Sequence, residues 1–204
     1  MATEQEIFWE GGFGDSYISR NESNGLLASN LSLFSKILSS AEPINSVLEL
    51  GCNIGMNLIA LEALSPKLSI NGVDINAKAI QELSKNKKHY NLKQQSIIEP
   101  INSNNVDFTF TKGVLIHINP EKLNFVYDNL YALSSKYICL IEYYNPSPVS
   151  LEYRGHQDRL FKRDFCGEML EKYKDLQLID YGFTYRNDHV FPQDDMTWFL
   201  LKKC

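Results

Sequence analysis

Glycine and acidic residues in the first third of the chain have the types and spacing of a cofactor-binding turn. The apolar run Val47-Leu48-Glu49-Leu50 is followed by Gly51-Cys52-Asn53-Ile54-Gly55 and then by helix-forming sequence. An apolar run of this length predicts a buried parallel strand. Gly51 tolerates backbone angles that other residues avoid, and Gly55 lets the next helix pack closely. Such a turn delivers a ligand to the unpaired N–H groups of a helix N-terminus, as in nucleotide-type cofactor sites.

Two carboxylates indicate which kind of cofactor the turn binds. Glu49 lies on the strand before the turn, where an acid suits a cofactor with an amine group. Asp74 ends the next predicted strand, where a carboxylate can accept hydrogen bonds from both ribose hydroxyls. The alternative role for Asp74 is to cap the helix that begins near Asn76. Asn53 stands where a dinucleotide-binding turn often has its second glycine, which argues against a pyrophosphate on this backbone.

Strands that alternate with helices must position these residues. Apolar runs predict strands at residues 47–50, 68–74, 94–98, 106–110, 137–142, 176–185 and 195–202. Helical spacing predicts helices at residues 26–39, 55–64, 76–89, from Pro120 onward, and 164–173. This alternation predicts an α/β fold with a mostly parallel sheet and right-handed crossovers. The pattern breaks near residue 143, and the polar stretch at residues 153–163 is predicted to be a loop.

Composition and charge argue against several classes of function. The chain has 204 residues, of which 44% are hydrophobic, and a net charge of −5, so one soluble domain without nucleic-acid or membrane-surface binding is expected. No apolar run approaches the roughly 18 to 20 residues of a membrane helix, and the polar start lacks the features of a signal peptide. The four cysteines are far apart, which argues against disulfides and a metal site and favours a reducing cytoplasm.

Three motifs resemble those of class I S-adenosylmethionine-dependent methyltransferases. They are the glycine-rich turn Glu49-Leu50-Gly51-Cys52-Asn53-Ile54-Gly55, the ribose motif Val73-Asp74-Ile75, and the fourth-strand motif from Asp107 to Ile118. The resemblance implies S-adenosylmethionine as cofactor and a Rossmann-like doubly wound sheet of seven strands, in the order 3-2-1-4-5-7-6 with the last strand antiparallel. It also implies that Ser96 and Ile97 flank the adenine, and that the backbone at Thr111 and Lys112 faces the methionine part.

The rest of the chain resembles a narrower group, the methylases associated with pseudaminic acid biosynthesis. The resemblance is carried by Phe8-Trp9, Phe13-Gly14-Asp15, Tyr17-Ile18, Arg20-Asn21, Tyr153-Arg154-Gly155-His156, Phe161-Lys162-Arg163-Asp164-Phe165 and the ending from Tyr181 to Leu200. It implies a small sugar-like acceptor, with the acceptor atom left open between nitrogen and oxygen.

The aromatic segment at residues 7–21 belongs to an N-terminal arm, residues 1–42, which precedes a cofactor-binding core at residues 45–142. As a lid over the cofactor, the segment would place Tyr17 against it and pair Arg20 with a carboxylate. The alternative is a hydrophobic arm that only packs on the domain, since aromatic side chains mostly serve packing.

His117 is the candidate catalytic residue, because it follows the fourth strand and a neutral amine or hydroxyl acceptor must lose a proton. We expect His117 to act as a base or to orient the acceptor. The alternative is a histidine that caps or packs the helix beginning near Pro120.

The acceptor site is expected at residues 143–164. The stretch 153–163 contains four cationic residues but a single acid, Asp158, and it also contains His156. The cationic residues are Arg154, Arg159, Lys162 and Arg163. Arginines bind carboxylates and phosphates in a fork geometry, so an anionic acceptor is predicted. The alternative is a solvated surface segment with local salt bridges. Tyr143, Tyr144 and Asn145 leave the fifth strand at the ligand-binding edge, where they would line the acceptor pocket.

Two other classes of function compete with a methyltransferase. A nicotinamide-dependent reductase would need a third glycine in the turn and a Tyr-x-x-x-Lys pair after the fourth strand; the nearest pattern runs from Tyr127 to Tyr131 without a lysine. A non-catalytic cofactor-binding regulator stays open, because binding motifs persist when turnover is lost.

Overall fold

A mixed seven-stranded sheet forms the centre of the computed structural model, which describes residues 2–18 and 24–204. The strands of this sheet are β1 (Ser46–Leu50), β2 (Ser69–Asp74), β3 (Asn91–Gln94), β4 (Val106–Lys112), β5 (Ser134–Glu142), β8 (Leu176–Phe183) and β9 (Thr197–Lys203). Strands β6 (Val149–Tyr153) and β7 (His156–Lys162) lie outside it. The helices are α1 (Glu4–Glu10), α2 (Gly12–Ile18), α3 (Asn24–Ser39), α4 (Met56–Leu64), α5 (Ala77–Asn86), α6 (Leu123–Leu133) and α7 (Phe165–Lys172).

The sheet has the order β3-β2-β1-β4-β5-β9-β8. Strands β1 to β5 pair in parallel, whereas β9 runs antiparallel to both of its neighbours, β5 and β8. Strands β6 and β7 form a separate hairpin. When this hairpin is left out of the numbering, β8 and β9 are the sixth and seventh strands of the main sheet in chain order. The predicted Rossmann-like α/β fold with the order 3-2-1-4-5-7-6 is therefore confirmed.

Apolar side chains cover both faces of the sheet because successive residues of a strand point to opposite sides. On β1, Val47 packs in the cluster of α3 and α4, whereas Leu48 packs in the cluster of α6 and α7. Both residues are almost fully buried. Helices on both faces hold the parallel strands in register, so that their carboxyl ends meet along one edge of the sheet.

The prediction of a third strand at residues 94–98 was wrong. Strand β3 spans Asn91–Gln94 and pairs with β2 from Asn71 to Asp74, after which the chain turns away. The error came from Ile97 and Ile98, whose apolar side chains pack against the α6 cluster from a turn rather than from a strand. The helix starting from Pro120 also begins later than predicted: a 3₁₀ turn, Pro120–Lys122, precedes α6.

The prediction of a loop at residues 153–163 was wrong as well. Strands β6 and β7 pair antiparallel, with Ser150 opposite Phe161, and a tight turn at Arg154 and Gly155 joins them. Both turn residues have positive φ, 52° and 83°. The hairpin lies apart from the main sheet and is largely exposed, so its polar residues hide the strand pattern.

Two short helices form the N-terminal segment. Thr3 caps α1 in a capping box with Glu6, which satisfies free backbone N–H groups at the helix start. The side-chain amide of Asn76 donates to the carbonyl oxygens of Trp9 and Glu10, which fixes the end of α1 above the start of α5. Within residues 2–18 and 24–204, no helix is long and apolar enough to cross a membrane.

Candidate active site

A cavity of about 770 Å³ opens at the carboxyl ends of the parallel strands. Twelve of the predicted site residues line it: Tyr17, Gly51, Asn53, Gly55, Asp74, Ile75, Ser96, Ile97, Lys112, His117, Tyr143 and Arg154. Glu49 and Thr111 are fully buried and do not line it, and Tyr144, Asn145, His156 and Arg159 lie outside its wall. Arg20 falls outside the described residues. The fold thus brings the predicted cofactor-binding residues together with His117, Tyr143 and Arg154 in one cavity.

The glycine turn is shaped by its neighbours. Gly51 has φ of 84°, and a Cβ atom there would lie 2.6 Å from a Val114 methyl group. Gly55 has φ of 75°, and a Cβ atom there would lie 2.7 Å from a Leu83 methyl group. Asn53 also has positive φ, 47°. Both glycines are therefore required by backbone angle and by close packing.

Asp74 ties the glycine turn to the start of α5. Its Oδ2 accepts from the backbone N–H of Asn53 over 2.7 Å, and its Oδ1 accepts from the backbone N–H of Asn76 over 2.8 Å. Asn76, not Asp74, caps α5, because its Oδ1 accepts from the N–H of Ala79. Burial raises the pKa of Asp74, while the backbone hydrogen bonds oppose that shift. Each carboxylate oxygen keeps a lone pair for a further donor in the cavity.

A buried chain of hydrogen bonds runs beneath the turn. Asn57 donates from Nδ2 to Glu49 Oε1 over 2.6 Å, and Lys112 Nζ donates to Oδ1 of Asn57 over 3.4 Å and to Oδ1 of Asn30 over 2.6 Å. Burial raises the pKa of Glu49 to about 8 and lowers that of Lys112 to about 8. The second oxygen of Glu49 has no hydrogen-bond partner among the described residues.

These residues fit S-adenosylmethionine. Asp74 supplies acceptors for ribose hydroxyls, and Ser96 and Ile97 line the cavity beyond it. Glu49 is buried beneath the turn and has one carboxyl oxygen without a partner among the described residues, so it can accept a hydrogen bond from an amine that reaches it. Helix α4 begins at Gly55 without a side-chain cap, which leaves its first N–H groups open to a ligand.

His117 ends a 3₁₀ turn, Leu115–His117, directly after β4. Its ring contacts the rings of Trp9 and Tyr153, with centroids 4.7 Å away in both cases. Nδ1 lies 2.6 Å from the carbonyl oxygen of Arg159, and burial lowers the pKa of His117 to about 4. Asn119 caps the next turn, so His117 is not the cap. The imidazole is neutral at pH 7 and packs between the N-terminal helices and the hairpin.

The cations of the hairpin do not act as one group. Arg159 pairs with Glu4 over 3.1 Å and Arg163 pairs with Glu168 over 2.5 Å, so both charges are compensated within the protein. Lys162 lies over the ring of Tyr143, with Nζ 4.9 Å from the ring centroid. Arg154 alone among these cations lines the cavity.

The cavity is also lined by residues that were not predicted as site residues, among them Trp9, Asn30, Arg186 and Gln193. Asn30 lies within α3, and Arg186 and Gln193 lie between β8 and β9. The antiparallel insertion of β9 beside β5 brings the last two to the carboxyl edge of the sheet. No local pattern in the sequence marks these positions, although the resemblance over residues 8–9 pointed to Trp9.

Comparisons with known proteins agree with this geometry. Residues 48–131 match the family model described as a methyltransferase domain. A search of curated proteins gives no match.

Several solved structures share the fold. Magnesium protoporphyrin IX methyltransferase from Synechocystis PCC 6803, with bound S-adenosylmethionine, has a TM-score of 0.72 and 14% identity, over 100% of this chain and 99% of that one. An S-adenosylmethionine-dependent methyltransferase from Clostridium acetobutylicum ATCC 824 has a TM-score of 0.65 and 12% identity, over 94% and 97%. N-methyltransferase NodS from Bradyrhizobium japonicum WM9 has a TM-score of 0.65 and 13% identity, over 89% and 98%.

These identities show a common fold, and the family match covers the strands and turns that build the cofactor end of the cavity. The match, the strand order and the glycine turn with its two acids together support a class I S-adenosylmethionine-dependent methyltransferase with S-adenosylmethionine as its cofactor.

Proposed function

We propose that the protein transfers a methyl group from S-adenosylmethionine to nitrogen or oxygen of a small anionic, sugar-like acceptor, either a sugar acid or a nucleotide-linked sugar. One observation carries this proposal: a single cavity joins the glycine turn and Asp74 to His117, Tyr143 and Arg154. The acceptor can therefore reach the reactive methyl group within the same cavity.

The anionic character of the acceptor rests on Arg154. Its guanidinium is exposed at the hairpin turn and lies 5.5 Å from the ring centroid of Tyr153, on the cavity wall. Because Arg159 and Arg163 are paired with acids, Arg154 is the hairpin arginine that remains for a ligand carboxylate or phosphate. The motif resemblance to the pseudaminic acid-associated methylases supports the sugar-like part of the proposal. Structural neighbours are named for acceptors as different as magnesium protoporphyrin IX and plantazolicin, so the acceptor is inferred from this chain's own residues.

The residues around the reaction mainly bind, align and exclude water. Bound S-adenosylmethionine supplies an activated methyl group on a sulfonium leaving group. His117 donates from Nδ1 to the Arg159 carbonyl, which leaves Nε2 as a hydrogen-bond acceptor. With its pKa lowered to about 4, the imidazole orients an N–H or O–H of the acceptor better than it stores a proton. Helices α1 and α2 cover the cavity with Trp9 and Tyr17, as a lid would.

Labelled cofactor tests the proposal. The protein is incubated with methyl-labelled S-adenosylmethionine and the anionic small molecules of a cell extract, and the products are separated by anion exchange. We expect label in a small anionic product. Binding of S-adenosylmethionine without transfer to any fraction would instead indicate a non-catalytic cofactor-binding protein.

Charge reversal then tests the anion site. Arg154→Glu is expected to raise the amount of anionic fraction needed for half-maximal transfer, because a carboxylate would repel the acceptor. Lys174→Glu is the matched control, since Lys174 is exposed after the end of α7 and does not line the cavity. Equal half-saturation in wild type and Arg154→Glu would refute an anion-binding role for Arg154. Full turnover in the His117→Ala variant would refute a catalytic role for His117.

A further inference from the structure

Three buried amide side chains, Gln5, Asn30 and Gln193, line the cavity with one polar atom each unpaired among the described residues, and two of them, Asn30 and Gln193, lie in neighbouring segments. Asn30 is 0% exposed and Gln193 is 8% exposed. The Nδ2 of Asn30 and the Oε1 of Gln193 have no hydrogen-bond partner among the described residues. A buried polar atom without a partner destabilises the protein, so these two atoms are candidate sites for a ligand's polar groups.

Neighbouring atoms determine which atom of each amide is unpaired. Lys112 Nζ donates to Oδ1 of Asn30 over 2.6 Å, and an ammonium can only donate, so Nδ2 is the unpaired atom. Gln193 Nε2 donates to the carbonyl oxygen of Ser29 over 2.7 Å, and a carbonyl can only accept, so Oε1 is the unpaired atom. Asn30 and Gln193 therefore present one fixed donor and one fixed acceptor to the cavity.

The two amides belong to one place in the fold. Gln193 bonds to Ser29, the residue before Asn30, and Ser29 Oγ donates to the carbonyl oxygen of Pro192 over 3.0 Å. Helix α3 and the segment before β9 are thereby held together. We call this pair, Asn30 and Gln193, the amide pair.

The amide pair lies toward the acceptor. Strand order places β9 beyond β4 and β5, whereas Asp74 and Ser96 lie at β2 and β3, on the other side of β1. Gln193 therefore approaches the cavity from the side opposite the adenine and ribose positions. The space above β4 and β5 is shared by the acceptor and by the methionine part of the cofactor, which is expected beside Thr111 and Lys112. The Kd for S-adenosylhomocysteine distinguishes the two.

We infer that the amide pair binds a hydroxyl group of the methyl acceptor, with Asn30 Nδ2 donating to it and Gln193 Oε1 accepting from it. This inference rests on the proposed function and deepens it. A carboxylate would place a second acceptor against Gln193 Oε1, and an ammonium would place a second donor against Asn30 Nδ2. The pair thus selects a neutral group that both donates and accepts, while Arg154 binds the anionic part of the same acceptor.

Variants of the amide pair test the inference with the anionic small-molecule fraction as substrate. Asn30→Asp keeps an acceptor for Lys112 and replaces the free donor with a second carboxyl oxygen. Asn30→Leu is similar in size and adds no charge, but it also removes the acceptor for Lys112. Gln193→Ala removes the free acceptor. Gln177→Ala is the control, since Gln177 is exposed on β8. Melting temperatures identify variants that fail to fold.

We expect the three variants of the amide pair to need about tenfold more of the fraction for half-maximal transfer, with the rate at saturation within about threefold of wild type. The Kd for S-adenosylhomocysteine should match that of wild type, which a merely structural defect would not preserve. Exhaustive acetylation of the labelled product should add acetyl groups at free hydroxyls, seen by mass spectrometry.

Three outcomes would overturn the inference alone: unchanged half-saturation in folded Asn30→Leu and Gln193→Ala, a weaker Kd for S-adenosylhomocysteine in those variants, or a product without free hydroxyls. The second outcome would assign the amide pair to the cofactor. Wild-type protein that labels no small molecule would overturn the proposed function, and the inference with it.

Discussion

Nδ1 of His117 donates a hydrogen bond to the carbonyl oxygen of Arg159, which lies 2.6 Å away on β7. The bond joins the turn after β4 to the hairpin and determines which ring nitrogen carries the proton. Because the surrounding aromatic rings exclude water, protonation of the second nitrogen is unfavourable and the pKa falls to about 4. The hairpin thus sets the protonation state of the candidate catalytic residue.

Stability should therefore fall in acid because of His117. The unfolded chain binds a proton at His117 near pH 6.5, whereas the folded protein does not until about pH 4, so this contribution is present above pH 6.5 and is lost as pH falls toward 4. His117→Gln retains a donor for Arg159 without a titrating group. Between pH 6.5 and 4, wild type should lose about 3 kcal/mol of unfolding free energy relative to His117→Gln, measured by urea denaturation. His189→Gln, at an exposed histidine, should keep the wild-type dependence; a parallel dependence in His117→Gln would contradict a neutral His117.

Glu142 should have the opposite effect on stability. Its Oε1 accepts from the backbone N–H groups of Val114 and Leu115, both over 3.1 Å, and burial raises its pKa to about 7. The folded protein keeps this proton up to about pH 7 whereas the unfolded chain releases it near 4.5, so stability is lost as pH rises through that window. Glu142→Gln retains an acceptor without the charge. Relative to wild type, it should gain about 3 kcal/mol between pH 4 and 8.

Glu142→Ala gives the contrasting result. It leaves the N–H groups of Val114 and Leu115 unpaired and should lower the free energy of unfolding by about 2 to 4 kcal/mol at pH 4. Because only wild type carries the titrating carboxyl, this difference should shrink by about 3 kcal/mol as the pH rises to 8. If Glu142→Gln and wild type kept a constant difference in unfolding free energy from pH 4 to 8, the raised pKa of Glu142 would be refuted.

Asp74 should determine cofactor affinity. Asp74→Asn keeps one acceptor oxygen and replaces the other with a donor that faces a backbone N–H group or a ribose hydroxyl. We expect the Kd for S-adenosylhomocysteine, measured by calorimetry, to rise at least about tenfold. Asp15→Asn is the control, because Asp15 also contacts Asn76 but does not line the cavity. Equal affinities in wild type and Asp74→Asn would remove Asp74 from the cofactor site.

Substitutions at Gly51 and Val114 should have coupled effects on the free energy of unfolding. Gly51→Ala puts a methyl group 2.6 Å from Val114 Cγ2 at a φ of 84°, which should cost about 2 to 4 kcal/mol. Val114→Ala removes the clashing methyl groups but not the backbone strain. The double variant should therefore be more stable than the sum of the two single changes predicts, by about 1 kcal/mol or more in a double-mutant cycle. Strict additivity would show that Val114 is not what restricts residue 51.

The fold was predictable where local sequence determines burial. Val47, Leu48 and Leu50 are apolar because β1 is covered on both faces, and the glycines that follow adopt positive φ, so strand and turn were both visible in the sequence. The position of Asp74 followed from the end of the next strand. Their placement around one cavity needed only the rule that parallel strands end at the same edge.

Prediction failed where distant residues determine the outcome. Arg159 resembles a free cation in the sequence, yet Glu4 lies 155 residues from Arg159 and pairs with it in the fold. The hairpin was read as a loop because its two exposed strands bury too little surface to show an apolar alternation. Asn30 and Gln193 are ordinary polar residues until a contact across 164 residues brings Ser29 to Gln193.

The same contact has a consequence for the order of events during synthesis. Strands β1 and β2 with the glycine turn are complete by residue 74, and domains of this size begin to fold while the ribosome is still elongating the chain. The opposite wall of the cavity closes only when residues 192–193 have been made and reach α3. A nascent chain would therefore acquire the shape to hold a nucleoside well before it could discriminate between acceptors.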